Sequence, residues 1–341
     1  MKRTLAIILL VSGCNASDMP PPPPATDITA AEGDFTYYVV NSLTVPMKKK
    51  DFSIDLNGDK VEDNQLGNLI GTLVAADSSG KLNPQTAVDK AVADGNVVIL
   101  ASVQAKSLKD ATNVGTTLYL GEKMATPDFT GNGSFTVDKK QSPATFYGSV
   151  AGGTMSSNSP VTTTHPVTVT LNLPLLGSEP IALKLNGAHL KFTAGTASGK
   201  PTLVSASLQG SIRNTDVQTT VLPKVASLMT ARVAGCAAAG VDMGGGGGTD
   251  GGTGTGPECD ATAMTMEMTF DIGGCGTAKA NDYVIETCEV ANNSLIQGVL
   301  QPDIQVFDAN GNYAPNPAKN ATKDSLSVGI GFTAVAAKFT P

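Results

Sequence analysis

The sequence contains no tryptophan, only two histidines and few charged residues, which make up 16% of its 341 residues. Neither His165 nor His189 stands in an H-E-x-x-H pair, and no G-x-S-x-G is present, so the usual signatures of zinc proteases and serine hydrolases are missing. The formal net charge is −7, and the chain shows no basic face of the kind that nucleic-acid binding needs. The sequence therefore predicts no nucleic-acid partner and no catalytic residues.

The N-terminus has the pattern of a bacterial export signal. A basic start (MKR) is followed by the apolar run 5–11, which is far shorter than the roughly 20 residues that a transmembrane helix needs. Small residues then lead directly to Cys14, as in the lipobox of bacterial lipoproteins, where the acylated cysteine becomes the first residue of the mature chain. We predict a signal peptide over 1–13 and lipidation of Cys14. The alternative is an ordinary cleaved signal with a cysteine at that place by chance.

The residues after Cys14 indicate where the anchor would place the protein. Asn15 follows the cysteine in place of the aspartate that retains many lipoproteins at the inner membrane, so we predict a lipid-anchored protein of the bacterial cell envelope, at the outer membrane. The segment 14–33 contains five consecutive prolines at 20–24, which favour an extended polyproline helix. This segment is predicted to be a stiff spacer that holds a folded domain away from the lipid surface.

Strand patterns dominate the chain after residue 33. Apolar and polar residues alternate, or apolar residues form short runs, over 34–45, 97–103, 167–173, 181–192 and 326–336. Asn186-Gly187 predicts a hairpin turn. The alternation of Met264, Met266, Met268 and Phe270 also suggests a strand. Helical spacing is found over 65–76, 85–94, 217–233 and 290–300.

The predicted fold is mainly β, an antiparallel β-sandwich-like domain with a few peripheral α-helices. Residues 244–257 are mostly glycine and cannot bury enough apolar surface to fold, so they are predicted to be a disordered loop. The part that follows has too few strands for a sheet of its own. We therefore expect the final strand to pair with the first part of the chain, so that 34–341 forms a single β-rich domain around this loop.

Four cysteines follow Cys14, all in the last third of the chain. In an oxidising envelope compartment this even number predicts two disulfides, with three connectivities open. A zinc site is the alternative, although the spacing contains no C-x-x-C pair. The disulfide candidates are Cys236, Cys259, Cys275 and Cys288.

The segment 55–63 (DLNGDKVED) resembles the first nine positions of an EF-hand calcium loop. Ca²⁺ prefers several oxygen ligands, and alternate residues of a tight turn direct their oxygens to one point. The pattern departs from the family at Lys60, where glycine is usual, and at Leu66, where the bidentate glutamate would stand. The alternative is an acidic turn that caps the following helix. The predicted ligands of a structural Ca²⁺ are Asp55, Asn57, Asp59, Asp63 and the backbone carbonyl of Val61.

Three segments together resemble a group of exported lipoproteins found in myxobacteria and related predatory or soil bacteria. They are DLNGDKVEDNQLG at 55–67, NNSLIQGVLQPDI at 292–304 and DSLSVGIGFTAVAAKF at 324–339, about an eighth of the chain. The resemblance implies an exported lipoprotein with a D-x-N-x-D-x-x-x-D loop and implies no particular activity.

The leading hypothesis is a surface-anchored, non-catalytic binding or structural module of the cell envelope, with a protein or glycan ligand that the sequence does not identify. An envelope hydrolase acting on glycans is the second hypothesis, and it requires paired carboxylates or a buried histidine on a concave face. The third is a carrier of an apolar ligand, which requires a large cavity lined by apolar strand residues. The shape of the molecular surface distinguishes these hypotheses.

Overall fold

The computed structural model describes residues 31–76, 82–157, 166–175, 180–238, 261–276 and 278–341. The predicted signal peptide, Cys14, the proline run, the Gly-rich segment 244–257 and Cys259 lie outside the described residues. The strands are β1 (Asp34–Thr44), β2 (Ile99–Ala105), β3 (Ala111–Leu120), β4 (Ala144–Ala151), β5 (Thr154–Ser157), β6 (Thr168–Leu173), β7 (Ile181–Ala197), β8 (Lys200–Arg213) and β9 (Ser325–Ala336).

The strands form an antiparallel sheet that closes on itself. The order is β5-β4-β3-β2-β1-β9-β8-β7, and β5 pairs again with β7, so eight strands form a ring with β6 outside it. The 17-residue strand β7 allows this, because its first part pairs with β6 and its later part with β5. The prediction of a mainly β, antiparallel fold is confirmed, but the arrangement is a closed barrel and not a sandwich of two stacked sheets.

The strand register shows which side chains face the inside of the ring. Tyr38 lies opposite Ala101, Ala101 opposite Leu118, and Leu118 opposite Ala144. Directly opposite residues share one face of a sheet, and all four belong to the largest cluster of buried apolar side chains. That cluster draws on every strand of the ring, so its strand residues must face inward. Further members are Phe146, Met155, Phe192, Leu208 and Ile330.

The final strand β9 lies between β1 and β8, as the sequence predicted. Its outer face is also covered. At Gly329 and Gly331 an added Cβ would collide with Phe52, with the backbone carbonyl of that residue in the first case and with its ring in the second. The loop around Phe52 therefore lies directly on the backbone of β9, which only residues without a side chain permit.

The helices cover one end and one side of this sheet. They are α1 (Gln65–Ala76), α2 (Pro84–Ala93), α3 (Asn214–Asp216), a π-helical stretch (Val217–Val221), α4 (Leu222–Ala238), α5 (Ala261–Phe270), α6 (Thr287–Asn292) and α7 (Ser294–Leu300). Helix α2 begins with Pro84 after Asn83, whose side chain accepts from the backbone N–H of Thr86, and it packs against β1. No helix in the described ranges is long and apolar enough to cross a bilayer.

Three local predictions were wrong. The helix expected over 290–300 is divided into α6 and α7 at Asn293, whose extended backbone ends α6. The Met264–Phe270 alternation belongs to a helix, α5, because Ala263 and Phe270, seven positions apart, are both buried and the helix packs on α4. The pair Asn186-Gly187 makes no hairpin. Gly187 has a φ of +57° and sits in a register shift within β7, where the ring of Tyr313 occupies the space that a side chain would need. Its positive φ therefore bends the strand without reversing it.

The contact between the Phe52 loop and β9 can be tested with alanine. We expect Gly329→Ala to lower the free energy of unfolding by about 2 kcal/mol, because its Cβ would be forced against the Phe52 carbonyl. The control is Gly298→Ala in α7, where a Cβ meets nothing within 4 Å and better helix propensity should add about 0.5 to 1 kcal/mol. Urea unfolding measures both, and equal effects would contradict the close packing.

Candidate functional site

The Asp55 loop is a tight turn closed by its own hydrogen bonds. The Asp55 carboxylate accepts from the backbone N–H groups of Gly58 at 2.6 Å, Asp59 at 3.1 Å and Lys60 at 2.8 Å. Gly58 and Lys60 both have positive φ values, +87° and +68°. Lys60 therefore adopts the left-handed conformation for which a calcium loop normally uses glycine.

Asp55, Asn57 and Asp59 share the hydrogen bonds of this turn, and Asp63 forms an ion pair outside it. The Asn57 amide donates to the Asp59 carboxylate at 3.3 Å, and the Val61 N–H donates to the same carboxylate at 2.8 Å. Asp63, in contrast, is buried and forms an ion pair with Lys49 at 3.1 Å. Across the described ranges no group of three or more histidine, cysteine or acidic side chains is arranged to hold a metal ion. Calcium binding by this loop stays a prediction.

A second loop of the same kind was missed in the sequence. Asp308 begins a D-x-N-G stretch, and its carboxylate accepts from the N–H groups of Asn310 at 2.9 Å and Asn312 at 2.8 Å. The bonds from Asn312 hold the pKa of Asp308 below its ordinary value. The repetition of the D-x-N-G pattern at 55–58 and 308–311 could have identified this second loop from the sequence. The two turns belong to one small apolar cluster, which comprises Leu56, Ile304, Val306, Phe307 and Tyr313.

Two carboxylates hold this loop region in place, and one of them, Asp303, binds β9. Asp303 accepts from the backbone N–H of Ser327 at 2.8 Å and from its hydroxyl, while Asp63 pairs with Lys49. Burial raises the pKa of both Asp63 and Asp303. The Asp63 carboxylate thus has a structural partner of its own, and it lies near enough to Asp59 for the charge of Asp59 to raise its pKa further.

The main concave site is a groove of about 920 Å³ beside α2, at the end of the barrel where β2 begins and β3 ends. Its deepest residues, Val98, Ile99 and Leu173, are buried and apolar, whereas Lys123 and Lys140 at its border are exposed. The remaining lining residues are Asn83, Thr86, Ala87, Lys90, Ala91, Asp94, Asn96, Val97, Leu120, Gly121, Glu122, Asp138, Gln141, Asn172, Pro174 and Pro180. We call this site the α2 groove.

The α2 groove continues into a smaller hollow of about 300 Å³ between the start of β4 and strand β6. Ile99, Leu120, Lys140 and Gln141 line both spaces, so the two form one continuous depression. The hollow lies there because β5 pairs only with 148–151 of β4, and no described strand joins the beginning of β4 to β6. The barrel wall is therefore incomplete at this end.

The polar groups of the α2 groove are largely engaged in local contacts. Lys90 and Asp94 form an ion pair at 2.6 Å on consecutive turns of α2. The Asp138 carboxylate accepts from the backbone N–H of Lys140 at 2.9 Å. His189, the one histidine within the described ranges, is 5% exposed on β7 and does not line the groove. The arrangement is suited to holding an apolar molecule with a polar border around it.

One predicted disulfide is present between described residues. Cys275 and Cys288 are bonded, with their Cα atoms 6.0 Å apart, and they join the segment after α5 to α6. Cys236 is buried and also disulfide-bonded, to a cysteine outside the described residues. The alternative prediction of a zinc site is therefore wrong for Cys236, Cys275 and Cys288, because a sulfur in a disulfide is no longer a thiolate that can bind zinc.

Comparison with protein-family models, with curated proteins and with solved structures found no match to this chain.

A calcium titration tests the Asp55 loop. A cation that binds only the folded chain stabilises it, by about 1.4 kcal/mol at ten times its dissociation constant. We expect millimolar Ca²⁺ to raise the melting temperature of the wild type and EDTA to reverse the shift. Asp59→Asn should abolish the shift because it removes a ligand charge, whereas Asp282→Asn, at an exposed carboxylate outside this loop, should retain it. An unchanged wild-type melting temperature would exclude the site.

His189 should make the protein sensitive to acid. Burial lowers its pKa to about 4 from an ordinary 6.5, so the folded chain holds it neutral while the unfolded chain takes up a proton. The sign follows from linkage: stability from this group is complete above pH 6.5 and is lost as the pH falls toward 4, by about 3 kcal/mol. Between pH 6.5 and pH 4, the free energy of unfolding measured in urea should fall much less for the His189→Gln variant than for the wild type.

Proposed function

We propose that this chain is a lipid-anchored, non-catalytic binding module of the bacterial cell envelope, and that its ligand occupies the α2 groove. The groove carries the proposal, because its volume of about 920 Å³ is that of a site for a small or medium-sized organic molecule. The lipid on Cys14 and the outer-membrane location are part of the same proposal and rest on the signal sequence.

The chemistry of the groove supports an apolar ligand with polar substituents. Its buried residues come from strand ends that the barrel holds in place, so the apolar surface exists before a ligand arrives and binding costs little ordering. The border carries lysine, carboxylate and amide side chains, which provide both hydrogen-bond donors and hydrogen-bond acceptors. Binding is favoured over hydrolysis because Asp94 and Asp138 are already held by local partners.

The position of the groove relative to the chain entry also supports a binding role. Asp34 at the start of β1 lies opposite Ala105 at the end of β2, while the groove is lined by Ile99 at the other end of that strand. A strand of this length spans about 20 Å, so the groove opens at the end of the barrel away from the proposed tether. A lipid-anchored protein would in this way present its groove to the surrounding compartment.

A tryptophan substitution tests the groove, helped by the absence of native tryptophan. Ala87→Trp places an indole in the groove, and Ala93→Trp places one on an exposed position of the same helix outside it. The neutral probe N-phenyl-1-naphthylamine becomes fluorescent in apolar sites. We expect the wild type and A93W to bind it equally, and A87W to bind it about fivefold more weakly, which corresponds to about 1 kcal/mol.

The emission of the introduced indole provides the second measurement. In A87W it should be blue-shifted relative to A93W, because the groove is apolar. Both variants should keep the wild-type melting temperature, which shows that the fold is intact. The proposal is contradicted if the wild type does not bind the probe, or if A93W weakens binding as much as A87W does.

A further inference from the structure

A row of aromatic side chains runs along the outer face of the barrel, from Phe35 near the start of β1 to Tyr119 near the end of β3. Phe35 stacks on Tyr37 at 6.1 Å between ring centroids, Tyr37 meets Phe339 edge-on at 4.9 Å, and Phe339 meets Tyr119 at 5.6 Å. We call these four residues the aromatic stripe. They come from two strands and from the segment after β9, so the fold assembles the stripe from distant parts of the chain.

The stripe faces outward because its strand residues alternate with inward-facing ones. Tyr38 points into the core, so Phe35 and Tyr37 point away from it, as Tyr119 does beside Leu118. Farther along β1 and β2 the outer face is covered by Phe135 and its neighbours. Tyr119 and Phe339 pack against this cover, which ends before Phe35, and Phe35 remains 53% exposed. One large aromatic ring is therefore left in solvent, stacked on Tyr37.

The chain enters the structure beside this stripe. Glu32 forms an ion pair with Lys106 and donates its backbone N–H to Asn113 at 3.1 Å, and Gly33 packs closely on the backbone of Ala105. The segment that precedes Phe35 is thus fixed to the ends of β2 and β3. Residues 15–30 separate this point from Cys14 and could extend over about 50 Å at most. A lipid on Cys14 would keep Phe35 within this distance of the bilayer, so direct contact is within reach, in place of the expectation that the spacer holds the domain away from the lipid.

We infer that the Phe35 end of the aromatic stripe rests on the lipid bilayer, with the Phe35 ring in the boundary between headgroups and acyl chains. Aromatic side chains are favoured at that boundary, where they bury apolar area without leaving polar groups unsatisfied. The protein carries a net charge of −7, so apolar burial and not attraction to anionic lipid drives the contact. This inference rests on the lipid anchor of the proposed function, and it makes the tethered barrel lie in one orientation.

The test uses the full chain with its lipid anchor, reconstituted into phosphatidylcholine vesicles whose acyl chains carry bromine, which quenches nearby indoles. Phe35→Trp places the only indole of the protein in the stripe. Met268→Trp, at a residue 62% exposed on α5, is the matched control. We expect the F35W emission to be blue-shifted and quenched about twofold or more, as for a ring at the acyl boundary, and the M268W emission to stay unquenched. High salt should leave the F35W quenching unchanged.

The possible results of this test distinguish the proposed lipid anchor from the inferred orientation of the barrel on the membrane. Failure of the wild type to float with the vesicles would contradict the proposed anchoring itself. Flotation with no quenching of F35W, or with equal quenching of F35W and M268W, would overturn the inference about the stripe. Quenching of F35W by a soluble oligosaccharide in place of the bilayer would overturn it as well. Hydrogen exchange of 34–37 in the wild type gives the same answer without a substitution, since membrane contact should slow exchange at Phe35.

Discussion

The pairing of β9 with β1 and β8 is the interaction on which the rest of the structure depends. Without it, β1 and β8 would each end in an open edge, and the inward apolar face shared by eight strands would be exposed to water. The same strand supports the loops outside the ring, through Ser327 and the two glycines beside Phe52. A single 12-residue segment therefore holds both the core and its outer cover.

The barrel wall is incomplete where β5 ends and closed around β9, and these two parts have different roles in the structure. Where β5 ends, β4 and β6 separate, and the gap joins the α2 groove. Where β9 lies between β1 and β8, the residues on both of its faces are buried from Ser325 to Phe332. The short length of β5 thus decides on which side an apolar molecule could enter, while the long strands opposite supply rigidity.

Much of the fold could be predicted from the sequence, and the failures have physical causes. Strict alternation over 326–336 identified β9, and helical spacing identified α1, because each has a clear buried face. Closure into a ring could not be predicted, since a barrel and a sandwich require the same alternation in every strand. The Asp55 turn was found from its sequence pattern, but the ion pair of Asp63 with Lys49 joins residues 14 positions apart and could not be predicted from the loop itself. The α2 groove arises where separate strands end, and no local pattern marks such a place.

The position of β9 has one more consequence, which concerns the order of events during folding. Tyr38 pairs with Ala336, so the first and nearly the last residues of the sheet are neighbours. A chain that emerges N-terminus first cannot close this ring until its end is available, and long-range pairing of this kind makes folding slow. During most of its synthesis the ring must remain open, because β9, the strand that pairs with β1, has not yet been made. An open chain is also the form in which a protein can be threaded through a narrow channel before it folds on the far side.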